Sequence, residues 1–308
     1  MRSRWLAWLL PCVVAVALLG ILYRQMLTIT QSAHDSDKPT EQHRALVMAH
    51  RGGAGLWPEN TMYAFKRAVE MGVDVLEIDM HSTSDGVLVI IHDDTLDRTT
   101  NGTGRVNFLS LAQLKALDAG YRWSQDGGRT FPYRGQGITV PTLEEVFSAF
   151  PLMRFNIDIK QAQPSLTSPF CRMIRASEMT NRVMVASFKP EALDEFRQDC
   201  SGVATSASAA DVLAFMALKT EPPEAASRVT LPQALQVPEY AGGRQVLTRE
   251  FVDAAHRRHL EVHAWTINDE AAMRRMLDLG VDGIITDYPD RLIALLGRER
   301  ESKSSASP

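Results

Sequence analysis

The chain has 308 residues, a formal net charge of −4, 45% apolar residues and 23% charged residues. That is enough chain for one large domain with a real core, and an acidic balance without a basic stripe excludes a nucleic-acid binder. The three cysteines, Cys12, Cys171 and Cys200, form no CxxC pair and no zinc-ligand spacing. Cys171 and Cys200 are read as two buried thiols, with a disulfide between them as the alternative in an oxidising compartment.

The first predicted element is the uncharged run 5–23, with Arg2 and Arg4 before it and Arg24 after it. As a helix it spans roughly 28 Å, close to the thickness of a bilayer core. It is longer than the apolar part of a signal peptide, and no A-x-A-like site follows it. Residues 1–24 therefore read as an uncleaved single-pass membrane anchor, and the flanking arginines put the rest of the chain on the extracytoplasmic side. Residues 25–44 are polar, lack periodicity and read as a linker.

From Ala45 onward, short apolar runs alternate with amphipathic segments. Strands are predicted over 46–49, 73–80, 87–91, 154–159, 183–186, 202–205, 244–247, 262–266 and 283–286. Helices are predicted over 61–70, 143–150, 166–177, 191–198, 209–218, 249–257, 270–279 and 290–296. Alternation of this kind gives parallel strands with helical crossovers, and about eight such units close naturally into an α/β (β/α)8 TIM barrel over 45–297. An open doubly wound sheet is the alternative, but no GxGxxG follows the first strand. The rhythm breaks over about 93–137, where Gly-rich turns, aromatic residues that include Tyr121, Trp123, Phe131 and Tyr133, and a short helix at 111–117 read as an insertion on the active-site face. The Ser-rich tail over 298–308 reads as disordered.

The chemistry-bearing residues fall at strand ends. His50 and Arg51 close the first strand. In Val75-Leu76-Glu77-Ile78-Asp79-Met80, a period of two puts Glu77 and Asp79 on one face and the apolar residues on the other. Asn156-Ile157-Asp158-Ile159-Lys160 repeats the pattern. If the apolar faces meet the helices, three carboxylates point into the barrel, where unpaired charge is costly. A hard cation such as Ca2+ or Mg2+ resolves that cost, since all the donors are oxygens. Pairing with Lys160 and Arg51 and no metal is the alternative. His92 ends another apolar run, and two histidines beside an acidic cluster can serve as base and acid. His263 and Trp265 share one face of a late strand. Core packing of Trp265 and an apolar wall for substrate both stand open.

In chain order the sequence carries His50-Arg51-Gly52, Pro58-Glu59-Asn60-Thr61, Leu76-Glu77-Ile78-Asp79, His92-Asp93, Asp158-Ile159-Lys160, Trp265-Thr266-Ile267-Asn268 and Gly283-Ile284-Ile285-Thr286-Asp287-Tyr288-Pro289. Together these motifs resemble the glycerophosphodiester phosphodiesterases from about residue 45 to 297. The resemblance implies a TIM barrel, a metal held by Glu77, Asp79 and Asp158, and His50 and His92 as the acid–base pair. It also implies Arg51 and Lys160 on the phosphate, Glu59 orienting the site and Trp265 lining the substrate pocket. Many members have glutamate where this chain has Asp158, a shortening that keeps the charge. The implied substrate is a glycerophosphodiester. The Asn-Ile-Asp-Ile-Lys segment and the N-terminal apolar run are more like anchored members that act on lysophospholipids.

Overall fold

Alternating side chains decide how each strand faces, and the outward set is almost wholly apolar. Leu76, Ile78, Met80, Ile157 and Ile159 are 0–1% exposed and belong to one cluster with helix residues such as Phe65, Phe147 and Phe170. Complete burial of such a side chain contributes roughly 1.5–3 kcal/mol each. In a computed structural model, residues 44–217 and 232–298 are described. Among them no helix is long and apolar enough to cross a membrane. The anchor expected over 1–24, nearly all of the linker and positions 299–308 of the tail lie outside the described residues.

The strands in chain order are β1 (Leu46–His50), β2 (Val75–Ser82), β3 (Leu88–Ile90), β4 (Arg154–Ile159), β5 (Val183–Ala186), β6 (Ala204–Thr205), β7 (Ala234–Pro238), β8 (Tyr240–Ala241), β9 (Arg244–Gln245), β10 (Glu261–Trp265) and β11 (Gly283–Thr286). Eight of them run in the order β6-β5-β4-β2-β1-β11-β10-β7, with parallel pairing throughout. A parallel bridge between Ser206 and Ala234 brings the two ends of this sheet together, which gives the expected barrel. Helices pack outside it, and their ends carry ordinary stop signals. Thr61 caps the helix Met62–Met71 by accepting from the Ala64 amide, and Gly72 ends it at φ 95°, a conformation that glycine adopts without strain.

Four expectations are corrected. The run 87–91 is a strand, but β3 pairs antiparallel with the end of β2 and is not a barrel stave. The run 244–247 supplies only β9, one arm of a small hairpin with β8. The stave it was expected to provide is β7, paired in parallel with β10. Cys171 and Cys200 are not free thiols. They form a disulfide, with Cα atoms 5.6 Å apart, joining the helix Thr167–Ala176 to the residue that ends Pro190–Asp199. Nor does the ordered chain stop at 297, because Arg298 makes two 2.6 Å hydrogen bonds to the Asp74 carboxylate.

The insertion holds together through its own cluster, including Leu96, Val106, Leu114 and Ile138. The Trp123 indole donates to the Ala54 carbonyl at 3.1 Å, so the insertion lies against the loop that follows β1.

Candidate active site

Strand register sets the first layer of the site. His50 pairs in register with Glu77, Glu77 with Asn156, and Asp79 with Asp158, so their side chains converge at the carboxyl ends of the strands. A cavity of about 220 Å³ opens there, walled by His50, Arg51, Glu77, Asp79, His92, Asp158, Lys160 and Trp265 among others. Eight of the nine residues singled out from sequence thus line one space. The ninth, Glu59, stands behind Arg51 and accepts from its Nη1 at 2.8 Å.

The two histidines have similar partners. His50 Nδ1 lies 2.6 Å from Asp287 Oδ1, and His92 Nδ1 lies 2.6 Å from Asp93 Oδ1. An ionised carboxylate only accepts, so each Nδ1 carries the proton and each neutral ring offers Nε2 as acceptor. Burial pulls the His50 imidazolium down, but the charge of Glu77 and the hydrogen bond to Asp287 outweigh it, leaving its pKa above the ordinary value. Asp287 is itself held, since its Oδ2 accepts from Asn268 Nδ2 at 2.6 Å. Asp93 lies low, at about 2. Burial opposes its ionisation, and hydrogen bonds from Arg98 and His92 overcome that effect. Arg98 bridges Asp93 to Glu59 through four contacts of 2.6–3.0 Å.

The carboxylates are unequal. Asp79 is 1% exposed and lies below the usual carboxylate range. Desolvation works against its charge, but Lys160, Arg51 and the Asn60 amide, which donates at 2.7 Å, favour it more. Lys160 Nζ sits 2.9 Å from Asp79 Oδ1 and 2.7 Å from Asp158 Oδ2, so the pairing alternative describes these two in part. Glu77 has no such cation. It accepts from the Arg51 amide at 3.0 Å and stands 4.0 Å from His50 Nε2. Burial and then repulsion from Asp79 push it up to about 7. Burial raises Asp158 as well.

Among the described residues no three His, Cys, Asp or Glu side chains are gathered at metal-ligating distance. The donor chemistry nevertheless fits a hard cation. Asp79 Oδ1 and Asp158 Oδ1 are buried without a hydrogen bond of good geometry, and burial and the neighbouring Asp79 work against the charge of Glu77, which a cation would favour. Arg51 is held at φ 51°, in the left-handed region, by the turn that aims its amide at Glu77.

Trp265 meets Phe188 edge-on, with ring centroids 5.6 Å apart and planes at 84°. It also packs beside Met48, Val75 and Ile285 in the barrel interior, so its ring is part of the core and also lines the cavity. His263, on the same face, is 1% exposed and bonded to Glu261 and to Gln236, which lines this cavity, whereas His263 itself does not. Sequence reasoning gave no role to Asp287, Asn268, Asp93, Arg98 or Phe188. The first three stand in the quoted motifs, whereas Arg98 lies in an aperiodic loop with no signal of its own.

The sequence model of the glycerophosphoryl diester phosphodiesterase family matches residues 50–291. A glycerophosphodiester phosphodiesterase of Caldanaerobacter subterraneus is 34% identical over 259 residues, covering 82% of this chain and 98% of that protein. A mouse lysophospholipase D is 26% identical, covering 89% of this chain and 93% of its own length. An Oleispira antarctica phosphodiesterase, solved with the product sn-glycerol-3-phosphate, superposes with a TM-score of 0.61 at 26% identity, over 81% of this chain and 96% of its own.

Proposed function

Since the chain belongs to the glycerophosphoryl diester phosphodiesterase family and is a phosphoric diester hydrolase, we propose that it cleaves glycerophosphodiesters to an alcohol and glycerol 3-phosphate, aided by a divalent cation, Ca2+ or Mg2+. One observation carries this reading. Two histidines, each with Nδ1 fixed by a carboxylate, open on the same cavity as Arg51, Lys160 and three inward carboxylates.

Glu77, Asp79 and Asp158 would hold the cation, and once bound it would supply positive charge to offset that of the phosphate. Arg51 and Lys160 donate to the same oxygens, and Glu59 steadies the Arg51 guanidinium. Nε2 of one histidine takes the proton from the attacking oxygen, which belongs to water or to the neighbouring glycerol hydroxyl. The other histidine, protonated, gives its proton to the leaving alcohol. Asp287 and Asp93 stabilise the positive ring in turn. The test is release of glycerol 3-phosphate from glycerophosphocholine with Ca2+, Mg2+ or EDTA. Metal-dependent release is expected, and equal release in EDTA sinks the cation's role.

A second reading is favoured by the aromatic rim. Phe188, 67% exposed, extends the wall begun by Trp265, which suits an acyl chain, and the mouse relative is named for lysophospholipase D activity. Release of lysophosphatidic acid from lysophosphatidylcholine tests it.

On this account residues 1–24 anchor the chain, 25–44 link, and the catalytic barrel from Ala45 onward works outside the cytoplasm. The Cys171–Cys200 disulfide supports that location, because such bonds persist in oxidising compartments. Protease added to intact cells should release the barrel. Survival of the full chain until lysis would count against it.

A further inference from the structure

The wall of the active-site cavity divides by strand. Among the described residues, every charged or histidine side chain in it belongs to β1, β2, β4 or the turns after β1, β3 and β4. Strands β5, β6, β7, β10 and β11 and the turns after them contribute none. Beside the aromatic rim they offer Ser206, Gln236 and Thr266, with the small side chains of Ala186, Ala207 and Ala209. In the closed barrel β7 lies opposite β2, four strands away in either direction. Phosphate and cation belong to the charged side, and the other side suits a part of the substrate that carries no charge.

On that side the Gln236 amide is fixed from behind. His263 Nε2 lies 3.1 Å from the Glu261 carboxylate, which only accepts, so the neutral ring carries its proton there and Nδ1 is bare. Gln236 Nε2 therefore faces Nδ1, donating at 3.2 Å with one hydrogen, and donates with the other to Asn156 Oδ1 at 2.8 Å. Asn156 also walls a separate cavity of about 230 Å³ at the amino ends of the strands, so the Asn156–Gln236 pair forms a floor between the two. With both hydrogens turned away, Gln236 Oε1 is left without a donor. Unlike Asp79 Oδ1 and Asp158 Oδ1, it is not sealed from solvent.

A lone carbonyl acceptor in an uncharged wall discriminates by chemistry. A carboxylate or phosphate brings no donor to it, a quaternary ammonium has no N–H, and a primary ammonium finds no carboxylate on this side. A hydroxyl satisfies it. In a glycerophosphodiester the secondary glycerol hydroxyl is vicinal to the ester oxygen and stays with the phosphorus and the histidines. The terminal hydroxyl stands one carbon farther away and can reach the uncharged side.

We infer that Gln236 Oε1 accepts a hydrogen bond from the terminal hydroxyl of the glycerol half, which makes Gln236 a specificity-determining residue. The inference rests on the diesterase reading above, because it assigns one contact of that substrate. It implies that an acyl ester on the terminal hydroxyl removes the donor, so the protein favours the unacylated diester over a 1-acyl lysophospholipid.

Two substrates that differ only in that hydroxyl test it: glycerophosphocholine and the phosphocholine diester of propane-1,2-diol. The wild-type protein should favour the glycerol diester by at least about tenfold in kcat/KM, and Gln236→Leu should cut that preference to within about twofold. The readout is a ratio, so a general loss of activity cancels. Thermal melting checks folding, and Gln236→Met, closer in shape, serves if the leucine variant does not fold. Equal use of the two diesters by the wild-type protein, or a preference that survives the substitution, overturns the contact while leaving the diesterase reading intact. Should neither diester be cleaved, the diesterase reading fails and calorimetric titration with the same pair decides. Tighter binding of the glycerol diester, lost in Gln236→Leu, upholds the contact without the activity, and equal or absent binding overturns it.

Discussion

His50 and His92 share one cavity and one kind of partner, but they are supported by different parts of the molecule. The His50 partner, Asp287, follows barrel strand β11, and its second oxygen is bonded to Asn268, which in turn accepts from the Asp287 amide. That support is short and half-buried, and it is made of barrel residues. The His92 partner, Asp93, begins the insertion and is held by Arg98, whose side chain is 47% exposed. One histidine is therefore oriented mainly by packed geometry, the other mainly by an ion-pair chain that water can reach. Exposed ion pairs are weak and sensitive to salt, so the two halves of an acid–base pair should fail in different ways.

The largest effect expected is that of removing either ring. His50→Ala or His92→Ala should each lower kcat by at least about 10²-fold in a folded protein. Near-normal turnover in both would end the assignment. Next comes Asp287→Asn, expected to cost close to 10²-fold, at the upper end of what orienting partners supply. It should also move a limb of the pH–rate profile. Asp287 helps raise the His50 pKa, so its removal lets that pKa fall, and the limb governed by His50 should shift to lower pH. Arg98→Met should cost about tenfold and leave that limb where it is. Its deficit should shrink in high salt, where the wild-type ion-pair chain is itself screened. If Arg98→Met matches Asp287→Asn in both size and salt response, the contrast between the supports is wrong.

The smallest expected effect is on stability and has the opposite sign. Glu77 is raised to about 7 by burial, so without metal the folded state binds its proton more tightly than the unfolded state does. Stability is complete below the unfolded pKa near 4.5 and is lost as pH rises through about 7. Glu77→Gln removes that loss. In EDTA at pH 8 it should be more stable by on the order of 1–3 kcal/mol, with little difference at pH 5. A variant that melts lower at pH 8 would refute this account.

The inward face of the site was legible because its signal is local. Glu77, Asp79 and Asp158 interrupt apolar runs at a spacing of two, and only inward pointing reconciles that with a buried sheet. The order of the motifs did the same for the family. Other features depend on pairings that no local pattern encodes. β7 has five residues and ends in Pro238, so its alternation is too short to rank above the Val246-Leu247 pair that follows the hairpin. Arg98 reaches Asp93 and Glu59 from an aperiodic loop, and nothing in the loop's sequence announces where it folds back. The disulfide needed two helices to pack before a sequence separation of 29 became a Cα separation of 5.6 Å.

The Arg298 fork on Asp74 has a topological consequence. Asp74 also accepts from the Val47 amide, so the first stave and the end of the last crossover are latched to one carboxylate at the amino ends of the strands. Both chain ends of the barrel therefore emerge at the pole opposite its chemistry.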